Sequence, residues 1–523
     1  FRLLSNEPDK QYLADGMMEA IHHHLQKFKD LRVLDMISME QYRQTQKTTH
    51  VIGQELGVTY LLEGSFQKAG DSVRLYVGLI YARKQSNIWA KEYDKNWKDI
   101  FTVQTEVSQA IAGELHTIIT PKEKELITKV PTTNLTALDL YWKANKYQKD
   151  YQKARDLSSY QRAVNLYKAA IEIDSTFARA YTGLAGTYYE RIKWENYFKQ
   201  TFLDTCLVLV NKALSLDDQL DEAYYLKGMY YSENGHIKEE LDNLDKALSI
   251  NPNYYLVYAE KGYALRYYTF DNIRGFDNYN KALNLIRGDK RPDLLRNIGR
   301  AYLDIGFIDK AKYYYQEAFA LSGNKRDNFS DLAWVEYCTE NFEEALKLDK
   351  KANEIDSTYR VDPMYCDGPL DHKEERFIFA KKIVEYYKKS GKLNLDQSHR
   401  VGYAFYQVGR NKEAEYYFNQ QIKYDEESIR LNREIVQWRA AQYDLAGTYA
   451  FLGNKVKAYK YLDEFNTMNS YPLWWVVFLK HDPLFNSIRN EERFQKILQN
   501  VEAKYQAEHE RVRKWIEEQE TMK

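Results

Sequence analysis

The stretch DKALSINPNYYLVYAEKGYAL, residues 245–265, decides the fold. A helical pattern runs as far as Ile250, Asn251-Pro252-Asn253 interrupts it, and a second helical pattern follows at once. Proline is tolerated in the first turn of a helix and stops the helix before it. Pro252 therefore marks either the end of a domain or the boundary between repeated units, and the rest of the sequence distinguishes the two.

The same spacing of small, large and glycine residues recurs along the chain. In residues 292–321, PDLLRNIGRAYLDIGFIDKAKYYYQEAFAL, Gly306 stands where a first helix would end in a positive φ. The positions that recur are Leu295, Ile298, Gly299, Tyr302, Gly306, Ala311, Tyr315 and Ala318 in one copy, Val401, Gly402, Phe405, Gly409, Ala414 and Phe418 in another, and Leu445, Ala446, Tyr449, Gly453, Ala458 and Leu462 in a third. Pro252 is therefore predicted to separate units of a repeat.

This pattern resembles the tetratricopeptide repeat, which is two antiparallel helices in about 34 residues. The resemblance implies a mainly α fold, a tetratricopeptide α-solenoid in which helix pairs form a right-handed superhelix, with about eight units over residues 131–470. Within a unit, Gly299, Ala311 and Ala318 are expected to let the two helices approach, while Tyr302 and Tyr315 fill the gap to the next unit. Residues 191–200 are predicted to be an insertion, and 359–395 one helix with a Pro- and Gly-containing link.

The first 130 residues predict a small α/β domain instead. Three segments are rich in β-branched and aromatic residues, and the predicted strands are RVLDMIS (32–38), TYLLEGSFQKAG (59–70) and SVRLYVGLIYA (72–82). Ala-Gly-Asp at 69–71 predicts a hairpin turn between the last two. Amphipathic patterns predict helices at 9–28, 46–56 and 99–119.

This domain, residues 1–130, resembles the domain related to the amino-terminal domain of TolB and to FlgO that precedes tetratricopeptide arrays in bacterial regulators. The matching stretches are LSNEPDKQYLADGM (4–17), residues 54–101 and QTEVSQAIAGEL (104–115), and the tail LKHDPLFNSIRNEERFQKIL (479–498) is similar to the usual close of such arrays. In that family the domain begins with an apolar strand ending in Pro-Phe, whereas this chain starts at Phe1. We therefore expect a fragment whose output domain lies upstream.

The amino-acid composition of the chain limits the classes of molecule that it is expected to bind. The chain has 523 residues, with 75 Lys and Arg against 76 Asp and Glu, and this balance gives no field that attracts nucleic acid or an acidic membrane. Cys206, Cys338 and Cys366 lie far apart, which excludes a disulfide framework and a CxxC metal knuckle. The longest apolar run, LWWVVFL (473–479), is too short to span a bilayer.

Catalytic and metal motifs are not found. The run HHH at 22–24 cannot converge on one metal, because consecutive helical residues point about 100° apart. No GxSxG, P-loop, GxGxxG, HExxH or EF-hand pattern occurs. The sequence therefore predicts no catalytic site, no metal and no cofactor, and an enzyme with a site between the α/β domain and the array is the least favoured alternative.

The candidate binding residues are those of each first helix that face the concave side of the array. By register they are Tyr225, Met229, Asp293, Arg296, Arg300, Trp334 and Tyr406. These side chains combine aromatic rings with both charges, which suits a peptide or helix with mixed side chains. The alternative is a solvated face with no ligand.

Residues 471–523 are predicted to be C-terminal capping helices. Val501, Tyr505, Val512 and Trp515 form a thin apolar stripe that is expected to cover the last repeat, with a coiled-coil partner as the alternative. In relatives with this arrangement the output resembles a class III nucleotide cyclase or a winged-helix DNA-binding domain. The favoured hypothesis is the non-catalytic sensory and protein-interaction region of a bacterial regulator, and the alternative is a stand-alone scaffold.

Overall fold

The structure is a computed structural model that describes residues 2–4, 10–43, 45–195, 200–356, 370, 372–390 and 398–521. Contacts divide the chain into two compact units, which are described separately. The first unit comprises Phe1–Tyr231, Lys238–Tyr258 and Lys281–Lys290, and the second comprises Ser232–Ile237, Ala259–Asn280 and Arg291–Lys523. Phe1, Cys366, part of the predicted insertion (196–199) and most of the predicted link around 359–369 and 391–395 lie outside the described residues.

A four-stranded sheet lies in the first unit, in the order β1-β2-β3-β4. Its strands are β1 (Arg2–Leu3), β2 (Tyr60–Ala69), β3 (Ser72–Tyr81) and β4 (Ser86–Asn96). β1 pairs in parallel with β2, and the other pairs are antiparallel. Gly70, with φ +58°, makes the tight turn between β2 and β3, so the predicted hairpin is confirmed.

Two features of this region differ from the sequence prediction. The predicted strand at 32–38 is wrong, because the segment ends in a 3₁₀ helix, Met36–Tyr42, whose N-cap Asp35 accepts a hydrogen bond from the Ile37 N–H at 3.0 Å. The Val33 N–H donates to Asn253 Oδ1 at 3.0 Å, so this backbone is paired with a loop and not with a strand. β4 was not predicted, because it is a polar, mostly exposed edge strand without apolar alternation.

Helices cover the sheet and share its hydrophobic core. They are α1 (Gln11–Gln26), α2 (Thr49–Leu56), α3 (Ile100–Glu114) and α4 (Pro121–Thr128). Met17 of α1, Val77 of β3 and Val107 of α3 belong to one buried cluster that also contains Trp142 and Phe177. The predicted domain boundary at residue 130 therefore falls within a continuous hydrophobic core.

The described residues from 135 to 465 form eight helix pairs. They are α5 (Leu135–Ala154) with α6 (Leu157–Ile173), α7 (Ala178–Glu195) with α8 (Gln200–Leu216), α9 (Asp221–Glu233) with α10 (Ile237–Ile250), α11 (Tyr255–Tyr267) with α12 (Asn272–Leu285), α13 (Arg291–Asp304) with α14 (Ile308–Ser322), α15 (Lys325–Cys338) with α16 (Phe342–Ile355), α18 (Ser398–Gln407) with α19 (Asn411–Arg430), and α21 (Ala440–Phe451) with α22 (Lys455–Phe465). α17 (Lys373–Ser390) and the short α20 (Glu434–Gln437) lie between pairs. Pro252 lies in the link between α10 and α11.

One packing contact recurs in these pairs. A glycine of the first helix receives a large side chain from the second, sixteen or seventeen residues later, in Gly228–Leu244, Gly262–Tyr279, Gly299–Tyr315 and Gly402–Phe418. A Cβ atom on Gly299 would lie 2.7 Å from the Tyr315 ring, which is too close for any other residue without movement. Tyr315 therefore packs inside its own pair, which corrects the expectation that it fills the gap to the next unit.

Tyr302 does pack between pairs, since its ring stacks on Phe276 of α12 with centroids 4.4 Å apart. Gly306 has φ +83° and follows the end of α13, as the spacing predicts.

The chain ends in two helices, α23 (Leu473–His481) and α24 (Glu492–Thr521). The predicted stripe on α24 is real: Val501, Tyr505 and Val512 are buried, and Trp515 stacks on Phe276 at 5.9 Å. Within the second unit α24 contacts the last pair through Lys504, which donates to the Asn466 carbonyl at 2.8 Å, but its stripe packs on α12 and on the turn after α13. The tail thus covers central pairs as well as the last one.

Candidate functional site

Arg296 of α13 is held by two carboxylates of α15. Its Nε donates to Asp331 Oδ2 at 2.6 Å and its Nη2 to Asp331 Oδ1 at 2.9 Å, and Nη1 lies 3.1 Å from Asp327 Oδ2. A two-pronged guanidinium–carboxylate contact fixes both partners in position. The predicted binding residue therefore joins the first helices of successive pairs.

Arg300, one turn further along α13, lies against the ring of Trp334. The guanidinium carbon is 4.2 Å from the Trp334 ring centroid, and Nε donates to Asp304 Oδ1 at 3.2 Å. Trp334 belongs to α15, so a cation–π contact joins the same two helices. The structure thus brings three of the predicted residues together, namely Arg296, Arg300 and Trp334.

The face around Trp334 already holds a helix of the same chain. Rings of α23 contact it: Trp474 lies 6.5 Å and Phe478 6.1 Å from Trp334, measured between ring centroids. Phe478 also lies 5.5 Å from Tyr337, and His481 Nε2 is 3.0 Å from Glu340 Oε2. The apolar run LWWVVFL therefore packs on the first helices α13 and α15, which sequence reasoning missed.

The other predicted binding residues do not join this group. Asp293 is exposed on α13, and Tyr406 of α18 is 49% exposed, with its ring edge 4.9 Å from Phe451. Tyr225 and Met229 are buried in a hydrophobic cluster of the first unit. In an ideal repeat, side chains at these two positions of the first helix face the concave surface. Here aromatic neighbours such as Tyr254 cover them, so Tyr225 and Met229 are core side chains.

An arginine cluster surrounds Asp304, and we define it as Arg266, Tyr267, Tyr279, Arg300 and Asp304. Arg266, Tyr279 and Asp304 are buried, and Tyr267 and Arg300 are partly exposed. The Arg266 Nη2 donates to Asp304 Oδ2 at 2.9 Å, and these two side chains are only 3% and 4% exposed. The Tyr267 hydroxyl donates to the same oxygen at 3.1 Å. One carboxylate thus neutralises one of two guanidinium groups, and the cluster keeps a net positive charge.

A second buried charge cluster lies in the first unit, and we define the histidine cluster as His23, Lys27, Asp221 and Asn251. His23 Nε2 lies 3.3 Å from Asp221 Oδ1, and Asn251 Nδ2 donates to Asp221 Oδ2 at 2.8 Å. Burial lowers the pKa of His23 to about 4 and lowers the pKa of Lys27. Burial raises the pKa of Asp221, but the nearby His23 and Lys27 outweigh it, so the net shift is downward.

The three histidines of the HHH run have three different neighbours. His22 Nε2 is 2.8 Å from the Leu34 carbonyl, His23 lies beside Asp221, and His24 Nδ1 is 3.4 Å from Ser108 Oγ. Among the residues that the structure describes, no group of His, Cys, Asp and Glu side chains is arranged to hold a metal ion. The run serves to attach α1 to neighbouring elements of the first unit.

Two further sequence features have a structural explanation. Cys206 and Cys338 are buried thiols, and burial raises the pKa of Cys206 to about 12, so neither has the exposed thiolate character of a reactive cysteine. In the described parts of the chain, no helix combines the length and the apolar character that a membrane crossing requires.

Comparison with known proteins supports the repeat assignment. A family model described as "Tetratricopeptide repeat" matches residues 221–254, which are α9, α10 and the link that contains Pro252. The "Putative adenylate cyclase 3" of Rhizobium meliloti (strain 1021) is 30% identical over 185 residues, 35% of this chain and 31% of that protein. The chain thus spans about a third of the length of this relative.

A second relative is the "TPR repeat-containing protein MJ1428" of Methanocaldococcus jannaschii, which is 27% identical over 215 residues, 40% of this chain and 31% of that protein. Among solved structures, YrrB, titled "a TPR protein with an unusual peptide-binding site", shares 22% identity and covers 38% of this chain and 95% of its own, with a TM-score of 0.29. The fold is accordingly a tetratricopeptide helix-pair array that follows a small four-stranded α/β domain.

Proposed function

We propose that this chain is a non-catalytic interaction and sensory region of a bacterial signalling regulator, and that it binds a peptide or protein partner on the first helices of the second unit. The observation that carries the proposal is the docking of α23 on α13 and α15, through the contacts of Trp474 and Phe478 with Trp334. A face that accepts a short apolar helix of its own chain has the chemistry to accept an apolar helix face of a partner.

The part of this face that remains accessible sets the character of the partner. Asp293 of α13 is exposed, while Arg296 and Arg300 are partly exposed and already paired with aspartates; Tyr406 is exposed on another first helix, α18, outside the group around Trp334. An acidic partner must displace Asp331 or Asp304 to reach these guanidinium groups, whereas a partner with mixed charges and an aromatic anchor need not. The proposal is therefore a mixed peptide or helix, and not a simple acidic tail.

The signalling role is supported by the cyclase-named relative, with which this chain shares 30% identity over 185 residues. The part of that relative outside the match is where an output domain would lie, so a nucleotide cyclase or another output domain on the same polypeptide belongs to this proposal. A scaffold without an output domain is the alternative.

Photocrosslinking at matched tyrosines tests the binding face. The photoreactive p-benzoylphenylalanine replaces Tyr406 of the first helix α18, and as controls Tyr416 of α19 and Tyr313 of α14, which are second helices; these side chains are 49%, 52% and 57% exposed. We expect adducts with one host protein from position 406 and none from the two controls. Equal labelling from all three positions, or none from position 406, contradicts a binding face on the first helices.

The native, full-length protein distinguishes regulator from scaffold. We expect its intact mass to exceed that of this chain by a catalytic or DNA-binding domain, and its output activity to change when the crosslinked partner is added. A native protein without such a domain, which still yields the adduct, supports the scaffold alternative.

A further inference from the structure

The sheet of the first unit ends in a long and accessible edge. β4 (Ser86–Asn96) lies at one end of the strand order, and nine of its eleven residues are exposed. Within the residues that the structure describes, no backbone hydrogen bond joins β4 to a segment other than β3. Edge strands are usually short or covered, because their unpaired backbone groups can pair with another strand. This edge is neither short nor covered.

The pairing of β4 with β3 fixes which backbone groups point outward. Just beyond β4, the Trp97 N–H donates to the Asp71 carbonyl at 2.7 Å, in continuation of the strand register. Hydrogen-bonded and non-hydrogen-bonded positions alternate in an antiparallel ladder, so every second residue of β4 bonds to β3. The residues between them direct their N–H and C=O groups away from the sheet, and these are Ala90, Glu92 and Asp94.

The two faces of β4 differ in charge balance. On one face Glu92 and Asp94 are held by Arg74, at 3.1 and 3.2 Å. On the other face Lys91 and Lys95 are exposed, and neither makes an ion pair with a described residue. The acidic face is therefore partly neutralised by the sheet itself, whereas the lysine face carries two positive charges without a counter-ion.

The charge of the lysine face decides between two occupants. A second copy of β4 that continued the sheet would place four lysines, and no carboxylate of β4, on this face. Like charges on adjacent strands destabilise the pairing, so the lysines act against self-association. A strand with acidic side chains at the corresponding positions gains from the same two charges.

From the outward backbone groups and the unbalanced lysines, we propose that β4 accepts an extended segment of a protein partner as a fifth strand. The segment carries acidic side chains opposite Lys91 and Lys95, and an apolar side chain between them, opposite the buried Tyr93. Main-chain hydrogen bonds then supply affinity, and the alternate side chains supply specificity. This edge belongs to the first unit, and the proposal does not depend on the partner-binding face of the second unit.

Two short peptides test the proposal on the full chain. The probe is the blocked peptide Thr-Glu-Thr-Val-Thr-Glu-Thr, a palindrome, so that parallel and antiparallel addition place its Glu and Val side chains identically. The control is Thr-Lys-Thr-Val-Thr-Lys-Thr. By fluorescence anisotropy of labelled peptides, we expect the acidic peptide to bind more tightly by about tenfold, from the sign of two cross-strand charge pairs.

Residue-resolved hydrogen exchange locates the bound peptide. We expect the outward amides of Glu92 and Asp94 to gain protection when the acidic peptide binds, because they then donate to its carbonyl groups. The amides that already bond to β3 should change little.

Two variants separate the backbone contribution from the charge contribution. Ala90→Pro removes one outward N–H, which an edge strand tolerates, and should weaken the acidic peptide by about fivefold. Ala90→Ser keeps the N–H and is the matched control. The double variant Lys91→Glu with Lys95→Glu keeps the backbone and should reverse the preference between the two peptides. Denaturation midpoints of all variants check that the fold is retained.

Four results overturn the proposal. They are no saturable binding of the acidic peptide at millimolar concentration, equal binding of the two peptides, binding without protection of Glu92 and Asp94, and an unchanged preference in the lysine double variant. Sedimentation of the chain alone tests the second copy as occupant. A dimer that Ala90→Pro abolishes and Ala90→Ser does not would assign the edge to self-association instead.

Discussion

The histidine cluster and the arginine cluster bury charge in opposite ways. In the histidine cluster, Asp221 is surrounded by His23 and Lys27, whose pKa values are lowered by burial. In the arginine cluster, Asp304 is bound by Arg266 and Arg300, and Arg266 is 3% exposed. Histidine and lysine can lose their protons when their partner is removed, but an arginine cannot. One cluster can therefore adapt to a lost partner, while the other cannot.

The difference extends to what each cluster connects. Asn251 and Asn253, on either side of Pro252, bind Asp221 and the backbone of Gln26 and Phe28, so the histidine cluster attaches α1 to the link between two repeats. Asp304 joins α11 to α13 through Arg266, and thus holds successive repeat pairs together. The side chains that can lose a proton, His23 and Lys27, therefore lie where the α/β domain meets the repeats. The arginines, which stay charged, lie inside the array.

The largest effect is expected from Asp304→Asn. The substitution leaves Arg266 buried and charged without its counter-ion, which costs on the order of 3–5 kcal/mol of unfolding free energy. Chemical denaturation of the full chain measures it. Asp242→Asn, at an exposed pair with Lys238, is the control and should change stability by less than about 0.5 kcal/mol. A loss as small as that of the control would mean that Arg266 finds another partner.

Gly299→Leu disturbs packing without removing a charge. Because Gly299 lies on the same helix as Arg300 and Asp304, its effect can be compared directly with that of Asp304→Asn. The added side chain meets the Tyr315 ring, and we expect a loss on the order of 1–3 kcal/mol. Gly113→Leu is the matched control, since nothing lies within 4 Å of a Cβ atom there. An unchanged denaturation midpoint for Gly299→Leu would falsify the assigned contact between α13 and α14.

Acidification should weaken the histidine cluster. The pKa of His23 is lowered to about 4 in the folded chain by burial, from 6.5 when unfolded, so between these values the unfolded state binds more protons. Stability is therefore intact above pH 6.5 and falls as the pH drops toward 4, by on the order of 2 kcal/mol at pH 5. The charged and titratable groups that act on His23 are Asp221, Lys27, Arg179 and His24.

Hydrogen exchange at pH 7 and pH 5, corrected for intrinsic rates, measures this effect. We expect protection to fall in α1 and α9 more than in α13, and His23→Gln to reduce the difference. Equal loss of protection in α1 and α13, or an unchanged profile in the variant, would assign the pH dependence to other groups.

The smallest effect is expected from Asp221→Asn, at about 1 kcal/mol, because His23 is already neutral at pH 7 and Lys27 can lose its proton when the carboxylate is lost. The introduced amide keeps an acceptor for Asn251. Chemical denaturation of Asp221→Asn and Asp304→Asn under the same conditions compares the two losses of unfolding free energy. A loss at Asp221 that equals the loss at Asp304 would show that Lys27 keeps its proton when its partner is removed.

The repeats could be predicted from the sequence because their contacts are local. Gly299 and Tyr315 are sixteen residues apart, and the same interval recurs in Gly228–Leu244 and Gly402–Phe418, so a spacing is enough to find the pair. β2 and β3 were found for the same reason, since a tight turn joins them. Local periodicity identifies elements whose partner is next in the chain.

Contacts between distant segments could not be predicted in this way. The apolar run at 473–479 indicates a buried helix, but nothing in its composition indicates that the helix docks on Trp334. Arg266 and Asp304 are 38 residues apart, and each alone resembles a solvated residue at the end of a helix. Tyr225 and Met229 occupy binding positions of an ideal repeat and are nevertheless buried. A sequence pattern can indicate that a side chain is buried, but the residue against which it packs depends on the fold.

The docking of α23 also has a consequence for the order of synthesis. Residues 325–338 of α15 leave the ribosome well before residues 473–481, by roughly ten to thirty seconds at ordinary elongation rates. During that interval Trp334 and Tyr337 lack the side chains of Trp474 and Phe478 that cover them in the finished chain. A chaperone or a partner that arrives while the chain is still being made meets this face uncovered, whereas a later one finds Trp334 and Tyr337 already covered by α23.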